Sequence, residues 1–373
     1  MSRHSNLALI TLLGAATLCA QGGDVPLDPR NSYKVNFPTE SPVALVSADW
    51  GQSSAVARGG ALQVDLHSTL VLKNASPRAI RGVSLLVLAQ EVTPGGKGSV
   101  TVPSLDVQPG ETFPVRIDLR LMRPLAAPAT ALVEVGLDGV LFEDLTFFGP
   151  NRLNAKRAML AWEMEARRDR KALLSALESG GEEALRAQLL AALARRDSQP
   201  QMPMQVARAL PSTNFDAGKA VSFALLHLPE SPVELLSGEA RMAGQEARAP
   251  HIEVQNRSRK PIRYLELGWV ARDSDGREYP AGTLPADVSL APGQQSTIRK
   301  DHTLRFARPV TGLTAYPSMV EFNDGDLWVP PQSAMRDPRL ASVLPVSGEM
   351  MRLAGLYRRK GLAAVVQQLR AMR

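Results

Sequence analysis

The stretch Asn74-Ala75-Ser76-Pro77-Arg78-Ala79-Ile80-Arg81 decides how this chain is read, because Asn256-Arg257-Ser258-Arg259-Lys260-Pro261-Ile262-Arg263 restates it. Working outward, Glu40-Ser41-Pro42-Val43 precedes the first copy, and Glu230-Ser231-Pro232-Val233 precedes the second. Pro109-Gly110 then answers to Pro292-Gly293, and Leu119-Arg120-x-x-Arg123-Pro124 to Leu304-Arg305-x-x-Arg308-Pro309. Phe142-x-Asp144 and Pro150 close one copy; Phe322-x-Asp324 and Pro330 close the other. The order is kept and the offsets stay between 180 and 190, so a tandem internal repeat is expected.

Within each copy the first part has strand chemistry. Leu62–Leu66, Leu70–Leu72, Val83–Leu88, Val115–Leu121 and Leu132–Val135 carry apolar residues at or near a two-residue period. In the second copy Ile252–Val254, Tyr264–Val270 and Leu313–Phe322 play these parts. Strands in series without interleaved helices predict an antiparallel β-sandwich. The repeated residues fall between strands. Asparagine and serine bond back to turn backbone, Pro-Gly suits a type II turn, and Asp273-Ser274-Asp275-Gly276 signals a hairpin. After Pro150 the composition turns helical, with 152–178 free of proline and glycine, a break at Gly180-Gly181, and a second segment over 182–196. Gly361, after Arg358-Arg359-Lys360, is the matching break near the C-terminus.

The expected architecture is therefore mainly β with α: two tandem antiparallel immunoglobulin-like β-sandwich domains, each followed by a helical hairpin. Its parts are a signal peptide (1–20), a first sandwich (30–150), a helical hairpin (151–196), a linker (197–206), a second sandwich (207–335) and a C-terminal helical segment (336–373). The strand portion 252–293 resembles bacterial extracellular immunoglobulin-like domains of the FxLYD type. Asn256-x-Ser258 after a strand, Asp273–Gly276, and Leu290-Ala291-Pro292-Gly293 carry that resemblance, and the first copy shows the same skeleton from Leu70 to Gly110. It implies an immunoglobulin-like fold and a secreted, adaptor-like role.

Arg3 and His4 followed by the apolar run Leu7–Leu18 read as a secretory signal cleaved near Ala20, too short to span a membrane. Lipoprotein processing at Cys19 is the alternative, disfavoured by Leu18 where a small residue is wanted. Cys19 is the only cysteine, so a mature chain without it has no disulfide, thiolate or cysteine-ligated zinc. The net charge of +6 is read as arginine scattered among acids on a solvated surface, with attraction to anionic envelope material as the sharper alternative.

No catalytic, cofactor or metal residue is assigned. His67, His227, His251 and His302 stand apart, without the pair spacing of a zinc site. Neither a nucleophile elbow nor a phosphate loop occurs, and Gly95-Gly96-Lys97-Gly98 leads into a strand as a hairpin tip. Asp273-x-Asp275-Gly276 and Asn323-Asp324-Gly325-Asp326 lack the closing glutamate of a calcium loop. Asn74-x-Ser76 and Asn256-x-Ser258 also fit a glycosylation sequon, but the turn role suffices. Arg120/Arg123 and Arg305/Arg308 are the residues most open to a binding role. They are expected mainly to brace strand ends against Asp118/Asp301 or Asp144/Asp324. The function expected is a secreted, non-enzymatic binding or adaptor protein of the bacterial envelope, periplasmic or extracellular. Its partner would be an envelope protein or surface polymer, with no nucleic acid, no cofactor and no transmembrane segment after signal removal. A structural or assembly subunit docking through its helical hairpins, and a hydrolase without a recognisable motif, are the alternatives.

Overall fold

The computed structural model describes residues 24–25, 33–91, 94–125, 131–198, 202–208, 218–299, 302–336 and 338–372. The signal segment (1–20) and Asp301 lie outside the described residues. Strands take 48% of the structure and helices 23%, so the fold is mainly β with several sheets.

Ten strands precede the first helix: β1 (Asp24–Val25), β2 (Tyr33–Asn36), β3 (Val43–Asp49), β4 (Ser54–Arg58), β5 (Ala61–Asn74), β6 (Ile80–Leu88), β7 (Lys97–Val102), β8 (Thr112–Pro124), β9 (Val133–Phe142) and β10 (Phe147–Phe148). Helix α1 spans Ala155–Ser198. Eleven strands follow: β11 (Met204–Arg208), β12 (Lys219–Ser222), β13 (Ala224–Leu225), β14 (Val233–Ala243), β15 (Glu246–Asn256), β16 (Ile262–Arg272), β17 (Glu278–Leu290), β18 (Gln295–Arg299), β19 (His302–Phe306), β20 (Gly312–Phe322) and β21 (Leu327–Trp328). The chain closes with α2 (Gln332–Arg336), α3 (Pro338–Val343), α4 (Gly348–Lys360) and α5 (Leu362–Ala371).

Before α1, one sheet has the order β1-β4-β5-β3 with β8 also on β5, and another the order β10-β9-β6-β7 with β2 on β9. After α1, the orders are β11-β19-β15-β14-β12 with β18 on β15, and β13-β20-β16-β17 with β21 on β20. β14 occupies the place that β3 and β4 fill together, and β18 with β19 the place of β8. Both β2 and β13 run parallel to the strand that ends in Phe142 or Phe322.

The chain divides into two compact units, one of Met1–Lys73, Leu85–Val100 and Thr112–Leu137, the other of Asn74–Ser84, Thr101–Glu111 and Asp138–Arg373. In the first unit β5 alternates strictly, burying Leu62, Val64, Leu66, Leu70 and Leu72, so the two short stretches read at 62–66 and 70–72 are one strand. In the second unit the β core gathers Leu265, Leu267, Val254, Leu304 and Val320 around the fully buried Trp269, whose ring meets Phe223 edge-on at 5.0 Å. The stretch 197–206 is not simply a linker. Met202 is buried in this core and Met204 opens β11, paired with Phe306, because alternating apolar side chains there find a strand edge to cover.

Turn chemistry is spent as its residues dictate. Gly110 and Gly293 take φ of 84° and 76°, and bonds from Glu111 N to Gln108 O and from Gln294 N to Ala291 O, both 3.0 Å, close the Pro-Gly turns. The Asp273 carboxylate accepts from Asp275 N, Arg277 N and the Tyr279 hydroxyl at 2.8–3.0 Å, tying the hairpin between β16 and β17. Helix α1 is broken at Gly181, with φ 67° and ψ −163°, and Gly361 between α4 and α5 has φ 81° and ψ 178°. This region is open essentially to glycine alone. Leu173 before the first break and Leu185 and Leu189 after it share one apolar cluster with Leu353, Leu362, Val365 and Leu369.

Candidate functional site: a buried ion network on the long helix

The charged residues of α1 are spent against neighbouring elements of the second unit. At the helix start, buried Asp138 accepts from Arg152 N at 2.6 Å, and Asn151 Oδ1 accepts from Lys156 N at 2.9 Å; both satisfy donors that a helix leaves open. Two turns on, Glu163 is 2% exposed. Its Oε1 accepts from Arg170 Nη2 at 2.6 Å and Arg167 Nε at 3.1 Å, and lies 4.0 Å from Arg81 Nε. Arg81 in turn donates to Asp106 at 2.5 Å. Arg170 reaches Glu349 at 3.2 Å, and Glu349, almost fully buried, is held by Arg352 at 2.8 Å. Charges of alternating sign thus run from the β6 end through α1 to α4. Burying them is tolerated because each carboxylate is paired and hydrogen-bonded.

Arg263, the counterpart of Arg81 in the repeated motif, also meets α1, through a shared partner. Buried Glu321 is bonded by Arg263 and by Arg157 of α1, whose guanidinium lies 3.6 Å from the centre of the Tyr264 ring. A third link follows: Arg168 donates to Pro330 O at 2.7 Å and pairs with Asp169, which accepts from the Ser347 hydroxyl, the residue that caps α4. Beside the network lies a cleft of about 670 Å³, lined by Arg81, Glu163, Arg167, Arg170, Lys171 and Glu178 among others. The geometry suits clamping: the guanidiniums already hold the carboxylates that acid–base chemistry would need free.

Sequence reading singled out other residues, and the structure corrects their partners. Arg120 pairs with Asp65 at 2.5 Å, the residue directly opposite it on β5, while Asp118 faces His67 at 3.1 Å. Arg305 pairs with Glu246 at 3.0 Å, again its cross-strand neighbour. Residues opposite each other across two strands lie closer than residues two apart along one strand, so register chose the partners. Both carboxyls titrate below their usual range, Asp65 through the Arg120 hydrogen bond and Glu246 through Arg248, with Arg305 adding. Buried Arg123 donates to Ala131 O and Leu132 O at 3.2 Å, and Arg308 is exposed. Asp144 and Asp324 instead take Arg78 at 3.0 Å and Lys260 at 2.7 Å.

The histidines lie on separate elements: His67 on β5, His251 on β15, His302 opening β19, and His227 between β13 and β14. Among the described residues no group of three or more His, Cys, Asp or Glu could hold a metal ion. Asn74 and Asn256 are buried with their amides bonded to backbone, which leaves no access for a glycan. No helix among the described residues is long and apolar enough to cross a membrane. What sequence reading missed is the clamp on α1. Its available signal was the repeated Ile-Arg at 80–81 and 262–263, an arginine beside a core isoleucine.

One α1 carboxyl falls outside these links. Burial pushes Glu165 up to about 7, opposed by Arg168 and reinforced by Asp169 and Glu266, and the buried Tyr316 hydroxyl is likewise pushed up by burial and by both glutamates. A carboxyl whose folded pKa lies above its unfolded value contributes stability below the unfolded pKa and loses it as pH rises through the folded one. Raising pH from about 5 to about 8 is therefore expected to cost about 1–2 kcal/mol, because the half-buried residue is partly screened by water. Urea midpoints at the two pH values, for the native chain and Glu165→Gln, check this. An equal pH response in both proteins would exonerate Glu165.

No protein-family profile matches the chain, and no curated protein sequence does. Among solved structures, it aligns with β-glucosidase from Kluyveromyces marxianus at 8% identity and a TM-score of 0.14, over 72% of this chain and 45% of the enzyme. Red sea bream transglutaminase aligns at 10% identity and a TM-score of 0.12, over 74% of this chain and 31% of the other. A two-domain protein of unknown function from Bacteroides fragilis aligns at 8% identity and a TM-score of 0.15, over 79% and 87% respectively. Likenesses this weak carry no argument about fold or activity.

Proposed function

We propose that this chain is a secreted, non-enzymatic binding protein of a bacterial cell envelope, built by duplication of a unit of two β-sheets followed by a helical hairpin. The observation that supports the duplication is the matching set of polar contacts in the two halves. Asn74 donates to Arg78 O and Val107 O at 2.8 and 2.9 Å, and Asn256 to Lys260 O and Leu290 O at 2.9 and 3.0 Å. Ser76 and Ser258 each bond back to that asparagine, and Ser41 and Ser231 each donate to the carbonyl two residues on at 2.6 Å. The broken helices match as well, since Gly181 and Gly361 stand 180 residues apart in the same conformation. A binding role accords with polar groups locked in ion pairs and turns; the envelope location rests on the apolar run at 7–18.

A second reading, an assembly subunit docking through its helices, is favoured by Leu190 of α1, which stays 48% exposed. Cross-linking in native cells, followed by envelope fractionation and N-terminal sequencing, tests both. The expected product begins near Gln21 and carries a cross-linked envelope partner. Loss of that partner in Leu190→Glu would favour the assembly reading, whereas an intact Met1 in cytoplasmic material would overturn the location.

A further inference from the structure

The positive charge of this chain has an address. After Glu349 come six cations (Arg352, Arg358, Arg359, Lys360, Arg370 and Arg373) and no acid. Six of the 43 Lys and Arg thus lie in the last 24 residues, and the other 37 are balanced by the 37 Asp and Glu. The whole excess of +6 therefore belongs to α4, α5 and the residues after them. Of the five cations within the described residues, Arg352 is spent on Glu349. Arg358, Arg359, Lys360 and Arg370 are exposed and in no ion pair. The apolar sides of both helices are occupied, Leu353, Leu362, Val365 and Leu369 being buried in the helical cluster. Only the charged side is left for a partner.

We infer that the Arg358-Arg359-Lys360 end of α4, together with Arg370, is a docking surface for anionic phospholipid headgroups. This deepens the envelope reading proposed above and rests on it for its setting. Guanidinium matches phosphate in a two-pronged hydrogen bond, and three of the four cations are arginine. Three consecutive cations at a helix end fan out as a compact cap. That shape fits a laterally continuous charged surface better than a linear polymer, which calls for cations in a row. With the apolar faces buried, contact is with the headgroup layer, without insertion of a helix. Cations in a last turn also offset the helix dipole, so a purely local structural role is the competing account.

The test is cosedimentation of the purified full-length chain with vesicles of equal parts phosphatidylglycerol and phosphatidylcholine. Binding is expected to these and not to phosphatidylcholine alone, and to weaken as salt is raised. Each cation near such a surface is worth about a fivefold change in affinity, so Arg358→Gln/Arg359→Gln/Lys360→Gln should lose about a hundredfold. A control of equal net charge, Lys73→Gln/Arg116→Gln/Lys219→Gln, should bind nearly as the native chain does; thermal melting confirms that both variants fold. Equal loss in the two triple variants, equal binding to uncharged vesicles, or capture by heparin without vesicle binding would overturn the inference. These outcomes are independent of location: cytoplasmic residence would sink the envelope reading and leave vesicle binding intact.

Discussion

Glu163→Ala is expected to destabilise the protein by about 3–5 kcal/mol, the cost of removing one partner from a buried ion pair. The carboxylate is 2% exposed and its Oε1 holds two guanidiniums by hydrogen bonds, with a third nearby. Without it, Arg170 keeps only Glu349, and Arg81 keeps Asp106. Arg170 is itself only 6% exposed, so water replaces the lost partner poorly. Replacing both residues with apolar side chains, Glu163→Leu/Arg170→Met, should restore part of the loss, because it removes the buried charge rather than stranding it. Urea midpoints for the single and double variants decide it. A single variant within about 1 kcal/mol of the native protein would mean that α1 is held by its apolar contacts and that the network is incidental.

The second large effect is expected at the turn asparagines. Asn256→Ala and Asn74→Ala should each cost about 2–4 kcal/mol, since each strips two backbone carbonyls of their donor and frees a turn serine. Both residues are at most 1% exposed, so water cannot take over. Asn256→Asp keeps the shape but turns the donor into an acceptor facing Lys260 O and Leu290 O. It should cost at least as much as alanine. Amide exchange at Gly293, whose N–H donates to Asn256 O at 2.9 Å, should quicken in every such variant. If alanine were tolerated at both sites, these side chains would be passengers in turns held by other bonds.

How much of this was legible beforehand differs by element. Turn residues were readable because their chemistry is local: Asn74, Ser76, Gly110 and Gly181 act on backbone within a few residues. Strand content was readable from apolar alternation, as at 62–72, though the join between two short stretches was not. Partners of the duplicated arginines were misassigned because proximity in sequence was taken for proximity in space. The basic C-terminal segment was countable from the sequence, yet an even scatter was read into it, because a net charge does not say where the charge lies.

By itself, then, the sequence determined the repeated turn grammar, the alternation of buried and exposed strand residues, the glycine breaks and the mainly-β character, each of which depends on a few adjacent residues. Tertiary structure alone decided that Asp65 and Glu246 take the repeated arginines, and that Glu163 collects charges from residues 81, 167 and 170. It also decided that Arg81 and Arg263 are both tied to one helix, Arg263 through Glu321. The physical reason is range. Backbone preference and turn bonding act between near neighbours in the chain, whereas an ion pair needs only a few ångströms in space and is indifferent to the number of residues between its partners.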